Sequence, residues 1–352
     1  MVLPDEERNI LLPISVLKQE RNMQNGIIAL HSISEAKKGD GVRRDIKAIL
    51  SQLLSIQSIK NTVQANGNEL RLHFAADGRR TSNKIGTVMA VFNILDEQEH
   101  DCDHQYHIAL YNGKEDYLEV KTCLGPVFAE VDDLQQNGIE VDGIHYKVIW
   151  YCCSDWKFLA MAYGLNAATG KYFCLWCHST KAKICDFSIQ DWPIERNLQQ
   201  CMKNSTEKTT DGRKGSIHEP LISIPFTQVI VDTLHLFLRI MGLLFHQDVT
   251  PYIHALVYHV PQFLEKCGGL SIFNCQPVEK KNHQQSRMFH QGTQKGGRKS
   301  SYTKQVMEKE YRKIYARVNN LYRTKRTYQS SGHTEVDPGA LHLYTHQNLE
   351  EG

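Results

Sequence analysis

The chain lacks an apolar run long enough to cross a membrane. Its most apolar stretch, residues 229–245, is broken by Asp232, His235 and Arg239. A span needs about 20 consecutive apolar residues, so this stretch reads as a buried helix. The opening Met1-Val-Leu-Pro-Asp-Glu-Glu has neither the basic start nor the apolar core of a secretion signal. We therefore expect a chain of the reducing cell interior. Ten cysteines in 352 residues are too few for the disulfide framework of a small secreted domain. Metal binding or free thiols are expected instead. Neither sign of charge is in excess: the net charge is +2, which by itself requires no nucleic-acid partner. Acids are scarce in one place only. Residues 280–326 hold just Glu308 and Glu310 among many Lys and Arg. Such a stripe suits phosphate binding, and equally a solvated helical face.

The most informative stretch is residues 147–177, KVIWYCCSDWKFLAMAYGLNAATGKYFCLWC. An apolar strand pattern over 148–153 ends at Asp155. A helical pattern covers 156–168, and the pair Cys174-Leu-Trp-Cys177 follows. Upstream, residues 70–76 alternate as a strand that ends at Asp77-Gly78, and 86–95 and 106–111 read as two more strands. Asn112-Gly113 is a hairpin signal. Yet Tyr117, Val120, Leu124, Val127, Phe128, Val131 and Leu134 repeat at helical spacing up to Gly138, so a helix bent at Pro126 is expected there. The order is three strands, a helix, a fourth strand and a helix. It matches the opening half of a ribonuclease H-like α/β fold, a mixed sheet flanked by helices, in which the fourth strand pairs with the first. Asp77 and Asp155 would then be neighbours in space.

The expected organisation is a helical segment 1–66 for packing or dimerisation, with one helix over 44–59. The first part of the core covers 67–170 and a zinc-bearing helical insertion 171–268. A catalytic helix and a basic helix over 303–326 occupy 269–328, and 329–352 form a disordered tail. Within the insertion, the polar residues 203–216 read as a flexible linker or loop. Residues 251–266 read as a helix that Pro261 disturbs, and residues 277–290 as a helix carrying Glu279.

Two-metal phosphodiester cleavage needs a cluster of carboxylates, because Mg²⁺ prefers oxygen ligands. Asp77, Asp155 and Glu279 are the candidates. Each acid alone reads more simply as a turn or helix cap. The Cys174-x-x-Cys177 spacing suits tetrahedral Zn²⁺, with His254 and His259 as the remaining ligands of a closed, structural site. His178 is an alternative ligand, and satisfied core or surface histidines are the plain alternative. Cys-x-x-Cys-His also occurs at c-type haem attachments, and Cys-x-x-Cys in thioredoxin-type redox pairs. The first usually needs export, and the second sits before a helix rather than after one. Cys152 and Cys153 read as strand packing, 101–104 as a polar loop with metal-binding residue types, and Asp232 as a helix cap or a fourth acid.

These residues together resemble the catalytic core of the V(D)J recombinase and the related Transib-type DNA transposases, over residues 70–326. Asp77-Gly78 resembles the family's first catalytic aspartate. Asp155, its helix and Cys174-x-x-Cys177 resemble the second aspartate and the zinc cysteines. His254-x4-His259-Val-Pro resembles the zinc histidines, Glu279 with Asn282 and Arg287 the catalytic glutamate, and Val231-Asp232-Thr-Leu-His235 a stretch of the family's insertion. The resemblance implies nicking of DNA and transfer of the freed 3′-hydroxyl, with two Mg²⁺ or Mn²⁺ ions and a structural Zn²⁺. It also implies a homodimer on paired DNA ends, a nuclear location and an accessory recombinase subunit. The alternative is a catalytically inactive, zinc-stabilised remnant that binds DNA or protein.

Overall fold

Seven strands form one mixed sheet in the order β1-β2-β5-β4-β3-β7-β6. They are β1 His31–Ser32, β2 Gly41–Arg43, β3 Glu69–Ser82, β4 Ile85–Ile94, β5 Tyr106–Asn112, β6 Ile139–Val141 and β7 Ile144–Cys152. The computed structural model describes residues 22–37, 40–82, 85–186, 188–241, 250–291 and 301–321, with Gln19 and Thr293. The tail expected from residue 329, the end of the apolar stretch (242–249) and part of the basic stripe lie outside the described residues.

The expected meander is present: β3 pairs antiparallel with β4, and β4 with β5. A helix, α3 (Tyr117–Asn137), then crosses over, and β7 pairs parallel with β3 from Glu69↔Lys147 to Phe74↔Cys152. Asp116 caps α3 by accepting from Glu119 N at 3.0 Å, and Gly138 ends it at φ 66°. Pro126 lies within it. A hairpin unforeseen in the sequence follows. Asp142 and Gly143 both adopt positive φ, 52° and 73°, and fold β6 onto β7. Asp-Gly is a strong signal for such a turn. Asn112-Gly113, with the same signal, leads instead into α3.

Both faces of the sheet are covered. On one face Leu70, Leu72, Phe74 and Ala76 of β3 pack with Leu124, Val127 and Val131 of α3 and with Ile49, Leu50 and Leu53 of α1 (Ile46–Leu53). On the other, Ala75, Met89, Val91 and Leu110 meet Val278, Tyr302, Val306 and Met307. The latter four belong to two helices late in the chain, spanning Gln276–Gln291 and Tyr302–Val318. Burial of a large apolar side chain stabilises by about 1.5–3 kcal/mol, so each layer fixes the sheet firmly.

Three expectations need correction. The helix expected over 44–59 is two, α1 and α2 (Gln57–Ala65), separated at residues 54–56. The N-terminal segment also adds strands to the sheet edge, because β2 pairs with β5 and β1 with β2. Residues 203–216 are not a flexible linker. They finish α5 (Leu198–Ser205) and form α6 (Thr210–Arg213). Arg196 Nη1 donates to Lys214 O at 2.9 Å, Lys171 pairs with Asp211 at 2.5 Å, and Ser216 is fully buried. Local partners absorb the polar groups that make this stretch read as a loop.

Candidate active site and metal centre

Asp77 is not at a strand end. It lies inside β3, opposite Met89 of β4. What ends near it is the parallel partner. After Phe74↔Cys152 the β7 chain turns away: Cys153 N donates to Phe74 O at 3.2 Å, and Ala76 N donates to Ser154 Oγ at 3.0 Å. The residues that follow this last bond on each side are Asp77 and Asp155. The parallel register therefore brings them to one rim of the β3–β7 pair. Asp155 also serves as the cap of α4 (Trp156–Ala162), its Oδ1 accepting from Phe158 N at 2.7 Å.

Further on, α7 (Thr233–Met241) precedes α8 (Pro251–His254), α9 (Val260–Cys267), α10 (Gln276–Gln291) and α11 (Tyr302–Val318). Glu279 lies in the first turn of α10. Asn282, one turn on, donates to Asp77 Oδ2, and His290 bonds Thr81 O at 3.1 Å. Helix α10 thus runs along β3 with Glu279 toward the aspartates. Burial lifts the Asp77 carboxyl to about 6, and the charges of Glu279 and Asp155 push it the same way. The three sequence-expected acids therefore share one electrostatic neighbourhood. Unlike the cysteine and histidine donors of the second site, they do not form a set whose ligand atoms all lie within 4.8 Å.

Two further groups belong to this neighbourhood. The first is Glu115. Burial raises it to about 7 against its bond to Lys157, and Asp155 and Asp77 add to the rise. A Cβ on Gly78 would come 2.7 Å from Glu115 Oε2, so the glycine after Asp77 lets this acid approach. Sequence reasoning misses Glu115, because a lone Glu before a helix carries no signal for such a placement. The second group is His235 on α7. Its Nδ1 bonds Asp232, its Nε2 lies 3.5 Å from Glu279 Oε1, and the bond to Asp232 raises its pKa. Asp232 also accepts from Leu234 N at 3.1 Å, so it is both a cap for α7 and an acid behind the site.

The soft-donor group is tighter. Cys174, Cys177, His254 and His259 each offer one atom, all within 4.8 Å of one another, and all four residues are buried. Cys174 Sγ lies 3.1 Å from His259 Nε2 and Cys177 Sγ 3.3 Å from His254 Nε2. Backbone N–H groups of Trp176 and Ser179 point at the two sulfurs at 3.4 Å. Histidines five apart on an α-helix would sit on different faces, since 3.6 residues make a turn. Here residues Ala255–His259 form a π turn, with Val260 N bonded to Ala255 O, which brings both rings to one side. Pro261 has no N–H to donate, so it disturbs the α pattern as the sequence implies. Burial opposes charge on Cys174, but its bond with Cys177 and the two imidazoles outweigh burial and hold this thiol well below its ordinary value. Gln262 Oε1 sits 3.2 Å from His259 Nδ1, a supporting contact of the kind metal-binding histidines make. The donor types, burial and supporting bonds fit a metal ion such as zinc. His178 is not part of the group and pairs with Glu195 at 3.0 Å.

Within the described part of the basic stripe, Lys280, Arg287 and Lys304 are exposed, while three other basic residues are paired with acids of the fold. Lys281 lies 2.5 Å from buried Glu310, Lys313 pairs with Glu310 and Asp103, and Arg317 with Glu97. These three groups tie α10 to α11 and α11 to the segment after β4. In the 101–104 loop, Asp101 Oδ1 accepts from Asp103 N and His104 N; with Glu99 it also forms a small, largely exposed acid–histidine group. Compared with models of known protein families the chain matches none, and no curated protein matches it.

Proposed function

We propose that the chain is a transposase-type DNA endonuclease and strand transferase with a ribonuclease H-like core. Asp77, Asp155 and Glu279, with Glu115 beside them, hold Mg²⁺ or Mn²⁺, and Cys174, Cys177, His254 and His259 hold Zn²⁺. The observation that carries the reading is the convergence of three distant elements: the β3–β7 register brings Asp77 and Asp155 to one rim, and Asn282, one turn after Glu279 on α10, donates to Asp77. Clustered carboxylates that repel one another are a poor structural device and a good divalent-cation trap. Bound divalent ions would supply charge stabilisation to the attacking and leaving oxygens. The protein's own part is orientation. Asn282 fixes Asp77, the α4 cap fixes Asp155, and the Asp232–His235 pair holds a proton donor beside Glu279 for an anionic oxygen. On this reading the DNA partner, a homodimer, an accessory subunit and a nuclear location follow from the resemblance.

Nicking of supercoiled DNA with Mg²⁺ or Mn²⁺ tests this. Asp155→Asn keeps an effective helix cap and removes the charge, so the fold should survive while nicking falls to background. Equal nicking by both proteins rejects the assignment. The second reading, an inactive DNA- or protein-binding remnant, is favoured by two observations: the acid oxygens do not form a set within 4.8 Å, and Asp77, Asp155 and Glu279 each have internal partners. It predicts no Mg²⁺-dependent nicking, with salt-sensitive DNA binding retained.

A further inference from the structure

We propose a second thiophilic metal site, built by Cys153, Asp232 and Cys275. The two sulfurs lie 3.5 Å apart. With a carboxylate oxygen of Asp232 they form a set whose atoms all lie within 4.8 Å of one another. All three residues are buried. They come from three separate segments: Cys153 follows β7, Asp232 precedes α7 and Cys275 precedes α10.

A buried carboxylate is costly unless it is well paired. Asp232 has His235 on one oxygen and Leu234 N on the other, and the thiols beside it are weak hydrogen-bond donors. A cation of the Zn²⁺ class would answer all three groups at once, with release of the two thiol protons. Two sulfurs and an oxygen are a borderline-soft donor set, which favours zinc over Mg²⁺ or Ca²⁺. Such an ion would join the exit of β7, two residues before Asp155, to the starts of the helices that carry His235 and Glu279. It would act as a fastener beneath the acid cluster. The inference does not rest on the nuclease reading, since metal content is measured whether or not DNA is cut.

The test is zinc content per chain of the full-length protein, purified without chelator. Wild type should carry two equivalents, and Cys275→Ser and the nearly isosteric Asp232→Asn one each. Co²⁺ substitution should show sulfur-to-cobalt charge-transfer absorption that falls by about half in Cys275→Ser. Circular dichroism checks folding, and if Cys275→Ser fails to fold the Asp232→Asn result decides. One equivalent in wild type and Asp232→Asn alike overturns the proposal. So does a second equivalent that persists in Asp232→Asn, or a Cys153–Cys275 disulfide in the purified protein.

Discussion

The Cys/His group and the acid group differ in how much of each site is made by the folded chain itself. At the first, four donors converge in a buried pocket, backbone N–H groups face the sulfurs and a glutamine supports one histidine. At the second, every acid is also engaged elsewhere. Asp155 caps α4, Asp77 takes a bond from Asn282, and Glu279 faces His235. A closed site can be pre-built because its thiols and imidazoles partner one another inside the buried group. An acid cluster cannot be drawn together without meeting its own repulsion. On the proposed reading, the first group would hold an ion that supports the fold and the second would hold ions that serve a reaction.

The largest effect should come from breaking the closed site. The Cys174–Cys177 loop and the α8–α9 segment are joined by these four residues as well as by ring contacts such as Trp176–Phe263, and structural zinc in small motifs contributes on the order of 10 kcal/mol of folding free energy. Chelation, or Cys177→Ser, should release zinc and lower the melting temperature steeply. A melting curve that chelator leaves unchanged would erase the difference between the two sites.

A smaller effect should come from the anchor behind Glu279. Lys281, two residues along α10, is buried against Glu310 of α11, and His107 Nδ1 lies 3.6 Å from the same carboxylate. Removing one partner of a buried pair costs about 3–5 kcal/mol, so Lys281→Ala should destabilise strongly by denaturant titration. Lys281→Met with Glu310→Gln should recover much of that loss. Burial opposes charge on Glu310, yet Lys281, His107 and Lys313 outweigh it and hold its carboxyl well below the ordinary value. A depressed carboxylate stabilises above its unfolded pKa of about 4.3 and loses that contribution as pH falls toward its folded value. Acid unfolding should therefore begin at higher pH in wild type than in the double variant.

Much of this is legible in residue order, and what is missed has physical causes. The β3–α3–β7 unit follows from alternation and helical spacing, and the two ligand pairs follow from their intervals. Asp142-Gly143 carries a turn signal as clear as that of Asn112-Gly113, but short β6 offers only three residues of strand pattern. Glu115 is not legible in residue order, because its proximity to Asp77 arises from two segments meeting in space. Lys281, Lys313 and Arg317 are a third case: these three members of a charge cluster meet Glu310, Asp103 and Glu97. Composition counts the charges of a stretch but not the partners they meet.

The smallest effect sharpens the comparison most. If the acid group carries uncompensated repulsion, Asp77→Asn should stabilise the protein in the absence of divalent ions. The amide oxygen still accepts from Asn282, so the hydrogen bond is kept while the charge beside Glu279 and Asp155 goes. A gain on the order of 1 kcal/mol is expected, since one pKa unit corresponds to about 1.4 kcal/mol and solvent at the rim screens part of the repulsion. Added Mg²⁺ should raise the melting temperature of wild type and leave that of Asp77→Asn nearly unchanged, because ligand binding stabilises only the chain that binds it. The opposite order, a variant that melts lower than wild type without metal, would mean that Asp77 works for the fold through Asn282. The two regions would then both be structural, and the distinction between them would fall.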